Sequence, residues 1–124
     1  MKILIIGGSS ILGTSILQGL QNELYTVHYS YLKNQPPFSN GHKLDITKKN
    51  DVIKVIDEIK PDLVVHTSAL TNIDLCEKNN SLAYSINVDG TKNIIQACEK
   101  ANCKIIFVST SFVFDGLKNE YTED

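Results

Sequence analysis

The chain has 124 residues, which suits one compact domain and not two. Hydrophobic residues make up 42% and charged residues 21%, so neither a disordered nor a membrane-embedded chain is indicated, and the net charge of -2 excludes a general attraction to nucleic acid or to an anionic membrane. The odd set Cys76, Cys98 and Cys103, with no C-x-x-C pair, argues against a disulfide scaffold and for reduced thiols that pack as small hydrophobes in a cytoplasmic protein.

Residues 2–6 form a short run, apolar from Ile3 to Ile6, that ends in glycine and suits a strand buried on both faces. It is too short for a signal peptide or a membrane span, and no other stretch is long enough. From Ser10 the period changes: Leu12, Ile16, Leu20 and Leu24 recur every four residues, with Ile11 and Leu17 beside them, and Ser9 or Ser10 can cap the helix they imply. Residues 26–31 return to strand character, the prolines and glycine of 32–41 read as loop, and 42–44 is a brief strand. Val52, Ile53, Ile56 and Ile59 place a helix over 50–59, which Pro61 stops. Residues 63–68 read as a buried strand, 71–79 as a polar loop with a short helical turn, 81–101 as a long helix and 104–110 as the last strand. The tail from 115 is polar and turn-like. This alternation predicts an α/β doubly wound parallel sheet of Rossmann type, strand order 3-2-1-4-5, in a single domain over residues 1–124.

Residues 7–13 read GGSSILG. A G-x-x-G-x-x-G phosphate loop has glycine at 7, 10 and 13; here the middle position is Ser10. The loop lies after a strand and before a helix, which gives the pattern its weight. Gly7 permits the turn out of the strand, and Gly13 permits close packing of the helix. The helix start offers free N–H groups and partial positive charge to phosphates. Ser10 crowds that space slightly, yet its hydroxyl can donate. A plain structural turn with a capped helix is the other reading; the setting favours a modified nucleotide loop. Sites for NAD(H) carry a carboxylate at the end of the second strand to hold the ribose 2′-OH. Residues 28–34, HYSYLKN, have none. Ser30, Tyr31 and Lys33 would accommodate a 2′-phosphate, which favours NADP(H) over NAD(H), although Lys33 could equally be a solvated loop lysine. No cluster surrounds His66, so no metal site is expected.

The segments GGSSILG, LDIT (44–47), KPDLVVHTSALTNIDLCE (60–77), SINVDGTKNI (85–94) and FVSTSFVFDGLKNEYTE (107–123) together resemble the extended short-chain dehydrogenase/reductases. Within that family they are similar to the dTDP-4-dehydrorhamnose reductases and to the regulatory β subunit of methionine adenosyltransferase. The resemblance implies a pyrophosphate loop of Gly7, Ser9, Ser10, Ile11, Leu12 and Gly13, with Ser10 departing from the usual glycine. It implies Asp45 and Ile46 at the adenine, and Thr67, Ser68, Ala69 and Thr71 along the cofactor. It assigns Asn87 to organising the active site and Thr110 to the catalytic set, where Ser111-Phe112 replaces the usual Asp-Tyr. Apart from the resemblance, Asp45 could cap a turn, Asn87 could be an ordinary helix residue and Thr110 a strand-end hydroxyl.

The implied activity is reduction of a nucleotide-linked 4-keto sugar with a nicotinamide cofactor, using a tyrosine proton donor and a lysine four residues later. No Tyr-x-x-x-Lys occurs in these 124 residues, and Tyr121 matches the family's aromatic position before that tyrosine. The chain is therefore expected to be the cofactor-binding part of a longer reductase, ending before the later strands and the substrate region. A nucleotide-sugar substrate is expected of the whole protein, with no nucleic-acid or membrane partner, and a homodimer is open. A non-catalytic NADP-binding regulatory module is the alternative.

Overall fold

The computed structural model describes residues 1–20 and 24–122. Residues 21–23 and 123–124, which the first helix pattern and the polar tail run into, lie outside the described residues. Strands β1 (Lys2–Ile6), β2 (Thr26–Tyr31), β3 (Gly41–Lys43), β4 (Leu63–His66) and β5 (Lys104–Phe107) form one sheet. The order is β3-β2-β1-β4-β5 and every neighbouring pair is parallel. This is the expected 3-2-1-4-5 order of a Rossmann-like α/β fold, with its reversal between β1 and β4.

Side chains alternate across a strand, so β1 feeds both faces. Ile3 and Ile5 meet Tyr29, Val65 and Leu17 of helix α1 (Ile11–Gly19) on one face. Leu4 and Ile6 meet Val52 and Ile56 of α2 (Lys49–Ile59) and Ile94 and Cys98 on the other. Each such buried aliphatic side chain contributes about 1.5–3 kcal/mol. Helix α2 ends at Ile59 as Pro61 requires, with Lys60 in the left-handed region at φ 51°.

Several boundaries differ from the sequence pattern. Strand β4 ends at His66 and not at residue 68, and β5 at Phe107 and not at 110. Gly7 turns the chain out of the sheet with φ +92°, so Ile6, His66 and Phe107 form the last row of the register. One further bond on each side closes it, from Thr67 N to the Ile6 carbonyl (2.9 Å) and from Val108 N to the His66 carbonyl (3.1 Å). Strand β3 is shifted one residue earlier than expected, to 41–43.

The first helix also departs from its expected stripe. Ser10 is its cap, and Gly13 and Leu17 are its buried face. Ile11 is 92% exposed, and Leu24 lies beyond the helix and is exposed. Ile16, Leu17 and Leu20 of the expected stripe pack on the core, and close backbone approach at Gly13 sets the helix start against the loop.

The polar stretch after β4 holds a full helix, α3 (Ile73–Lys78), capped by the Asn72 side chain. The long helix expected over 81–101 is three pieces in succession: α4 (Asn80–Tyr84), a π-helical turn (Ser85–Gly90) and α5 (Thr91–Ala101). At that turn the Thr91 hydroxyl donates to the Asn87 carbonyl at 2.8 Å, competing with the regular helix bond.

Cys98 is buried in the α2–α5 face, and burial together with the neighbouring Cys103 pushes its thiol up to about 12. All three cysteines are free. Among the described residues no helix is long and apolar enough to cross a membrane.

Candidate cofactor site

The loop after β1 is built by backbone crowding. A Cβ on Gly13 would lie 2.9 Å from Gly8 Cα and 3.0 Å from the Gly7 carbonyl carbon, with the Gly7 carbonyl oxygen closer still. Only glycine lets the helix start this near the turn. Ser10 does not sit where the missing glycine would leave empty space. Its Oγ accepts from Gly13 N at 2.9 Å and lies 3.3 Å from Thr67 Oγ1. The Thr67 proton is directed at the Ile6 and Gly7 carbonyls (3.0 and 3.2 Å), which leaves Ser10 as donor between the two hydroxyls. Ser10 is thus both cap and tie. The N–H groups of Ser9, Ile11 and Leu12 take no partner among the described hydrogen bonds, so the helix start keeps free donors for an anion.

A cleft of about 580 Å³ opens over the carboxyl ends of the strands. It is of the size and placement expected for a nucleotide at the reversal of strand order. Of the residues singled out from sequence, Gly7, Ser9, Ser10, Ser30, Tyr31, Asp45, Ile46, Thr67, Ser68, Ala69 and Thr71 line it. Ile11, Leu12, Gly13, Lys33, Asn87 and Thr110 are not among its lining residues. Leu32, Leu44, Thr47, Leu70, Leu82, Ser85 and Ile86 complete the wall and were not singled out. They are mostly apolar residues in loops and helix ends, where no periodicity distinguishes a wall from a core.

The side walls show what each polar group is doing. Ser30 is 2% exposed, and its hydroxyl accepts from Gly7 N at 3.2 Å while its carbonyl accepts from Gly8 N at 2.8 Å. It braces the loop from behind. Asp45 Oδ1 accepts from the backbone N and the hydroxyl of Thr47 (3.0 and 2.7 Å), so this carboxylate caps a turn and also faces the cleft. Asn93 was not foreseen; it donates to the Ile46 carbonyl at 3.0 Å and fixes that edge. Lys33 is exposed in the bend after β2, next to the lining residue Leu32.

The wall after β4 is held from beneath. Asn87 accepts from Leu70 N at 2.7 Å and donates to the Leu70 carbonyl at 3.0 Å, satisfying both backbone groups of one loop residue. His66 is fully buried and faces the Phe107 ring, centroids 5.3 Å apart. Its Nδ1 accepts from Ser68 N (3.4 Å), and its Nε2 lies 3.1 Å from the Thr91 hydroxyl. That hydroxyl gives its own proton to Asn87, so the network assigns the Nε2–H donor tautomer of a neutral imidazole. Burial lowers its pKa to about 4. Among the described residues no group of three or more metal-ligating side chains occurs. Thr110 is exposed and accepts from Phe112 N at 3.3 Å, capping a short 3₁₀ turn, Ser111–Val113.

A parallel sheet, a glycine loop entering a helix and a cleft at the reversal of strand order define a Rossmann-like α/β fold. A family model described as the RmlD substrate binding domain matches residues 1–124, and the chain belongs to that family. A probable low-salt glycan biosynthesis reductase of Haloferax volcanii is 30% identical over 125 residues, covering 100% of this chain and 42% of that protein. The crystal structure of a hypothetical dTDP-4-dehydrorhamnose reductase from Sulfolobus tokodaii superposes with a TM-score of 0.90 at 32% identity, over 100% of this chain and 44% of that one. The dTDP-4-dehydrorhamnose reductase of Bacillus anthracis, crystallised in complex with NADP, gives a TM-score of 0.81 at 30% identity, over 96% and 39%. The chain spans less than half the length of each of these relatives.

Proposed function

We infer that this chain is the cofactor-binding part of an NADP(H)-dependent reductase of nucleotide-linked 4-keto sugars. One observation carries the cofactor reading: Ser9, whose N–H is free, lines the cleft at the helix start, with the free Ile11 and Leu12 N–H groups next in the chain, and the nearby second-strand end is followed by Lys33 and has no carboxylate. The loop fits a pyrophosphate, because a Cβ at Gly13 would displace the backbone that shapes it. Bound NADPH would supply a hydride. The chain's own part is to bind and orient: the backbone of Ser9, Ile11 and Leu12 toward phosphate, Asp45 and Ile46 toward the adenine, and the wall of Thr67, Ser68, Ala69 and Thr71 along the cofactor. Thr110 accepts a backbone bond and keeps its own proton, so its hydroxyl is able to donate to a substrate carbonyl. Asn87 serves the site by holding Leu70. The relatives' reductase names support the reaction class, and the substrate rests on resemblance.

Titration calorimetry with NADP⁺ and NAD⁺ tests the cofactor reading. NADP⁺ is expected to bind more tightly, and Lys33→Ala to lower its affinity about tenfold while sparing NAD⁺. Tighter binding of NAD⁺ by the unaltered chain would overturn it. The 124 residues alone are expected to show no NADPH oxidation with a dTDP-4-keto sugar, since general acid catalysis is worth roughly 10²–10⁴ and no Tyr-x-x-x-Lys is present. Turnover comparable to that of a complete reductase would show that the active site has been misplaced.

A further inference from the structure

Tyr29 joins the two ends of the cleft. It is fully buried near the end of β2, directly under the phosphate loop. A Cβ on Gly8 would come within 2.7 Å of Tyr29 Cβ and 2.8 Å of its Cδ2. The hydroxyl points the other way, into the loop of residues 32–40. Its single proton is shared between the carbonyls of Pro36 (2.8 Å) and Phe38 (2.9 Å). Half-buried Phe38 packs edge-on against the ring, with centroids 6.3 Å apart and planes at 83°. Among the described residues, these are the only hydrogen bonds tying 32–39 to the rest of the chain; the bond from Phe38 N to the Pro36 carbonyl is internal to the loop. Pro36 and Pro37 have no N–H with which to make others. This is the loop that carries Lys33.

We propose that Tyr29 is a positioning residue for cofactor selectivity: its hydroxyl pins the 32–40 loop so that Lys33 is held at the second-strand end, and so favours adenine nucleotides bearing a 2′-phosphate without touching them. This rests on the NADP(H) reading above. Tyr29→Phe keeps the ring beneath Gly8 and removes only the tie.

The test is titration calorimetry of NADP⁺, NAD⁺ and adenosine 2′,5′-bisphosphate against the protein, Tyr29→Phe, Lys33→Ala and the double variant. Tyr29→Phe is expected to weaken NADP⁺ and the bisphosphate about three- to tenfold. NAD⁺ should change by no more than about twofold, and in the Lys33→Ala background Tyr29→Phe should cost NADP⁺ nothing further. Amide exchange at Phe38, whose N–H is bonded to the Pro36 carbonyl, should quicken in Tyr29→Phe. Equal losses for NADP⁺ and NAD⁺, or an undiminished loss in the Lys33→Ala background, overturn the proposal. If the unaltered protein shows no preference for NADP⁺, the cofactor reading fails and takes this proposal with it. Should Tyr29→Phe not fold, Phe38→Leu loosens the same loop from its own side and carries the same expectations and the same refutation.

Discussion

Helix α1 contains two glycines for which the same substitution should act with opposite sign. At Gly13 an added methyl would meet Gly7 and Gly8 backbone, at 3.0 Å or less, and no flexible side chain is there to yield. Either the helix moves off the loop or the loop loses its turn. Overpacking of this kind costs typically 1–3 kcal/mol, and a backbone obstacle on two sides places Gly13→Ala toward the upper part, about 2–3 kcal/mol. At Gly19, in the same helix, nothing lies within 4 Å of the added atom. Gly19→Ala should stabilise by about 0.4–1 kcal/mol through lost freedom of the unfolded chain. Urea titration of both variants measures the difference, and heating should separate their midpoints by roughly 10 °C or more. Gly13→Val should also abolish nucleotide binding. If Gly13→Ala unfolded at the same urea concentration as the unaltered protein, the argument that backbone crowding shapes this loop would be wrong.

His66 predicts a pH dependence. Its folded pKa of about 4 lies below the unfolded value of 6.5, so the unfolded chain holds more protons between them. The stability it contributes is complete above pH 6.5 and falls as pH drops toward 4, by about 3 kcal/mol in all. Burial, His42 and Lys2 lower His28 in the same direction, so the His66 share is read as the slope removed by His66→Gln in denaturant titrations from pH 7 to 4. An unchanged slope in that variant would place the proton elsewhere. Asn87→Ala leaves the Leu70 N–H unpaired and its carbonyl with only the Cys76 thiol at 3.5 Å, and should cost about 1–3 kcal/mol, with faster amide exchange at Leu70 while the core strands keep their protection. Uniform loss of protection would count against a local role.

The sheet was legible because β1 and β4 are buried on both faces and read as unbroken apolar runs, and because Gly7 and Pro61 mark where strand and helix stop. Strand ends were less so: the residues past His66 and Phe107 keep strand composition, and only the loss of a partner row ends the ladder there. The cleft's phosphate end could be read from glycine spacing. What could not be read was the use of hydroxyls. Ser10, Ser30 and Thr67 bind one another's backbone neighbours, and nothing in their identity distinguishes such bracing from contact with a ligand. The π-helical turn was also invisible, since its apolar positions fit an ordinary helix.

Cys98 gives the molecule a chemical clock. Alkylating reagents attack a thiolate, and a side chain 1% exposed whose thiol is pushed up to about 12 presents none while the sheet stays covered. Its modification therefore counts events in which the α2–α5 face lifts away. Cys76 and Cys103 are partly exposed and respond sooner, so the mass gained by a single sample over time separates surface labelling from opening of the core.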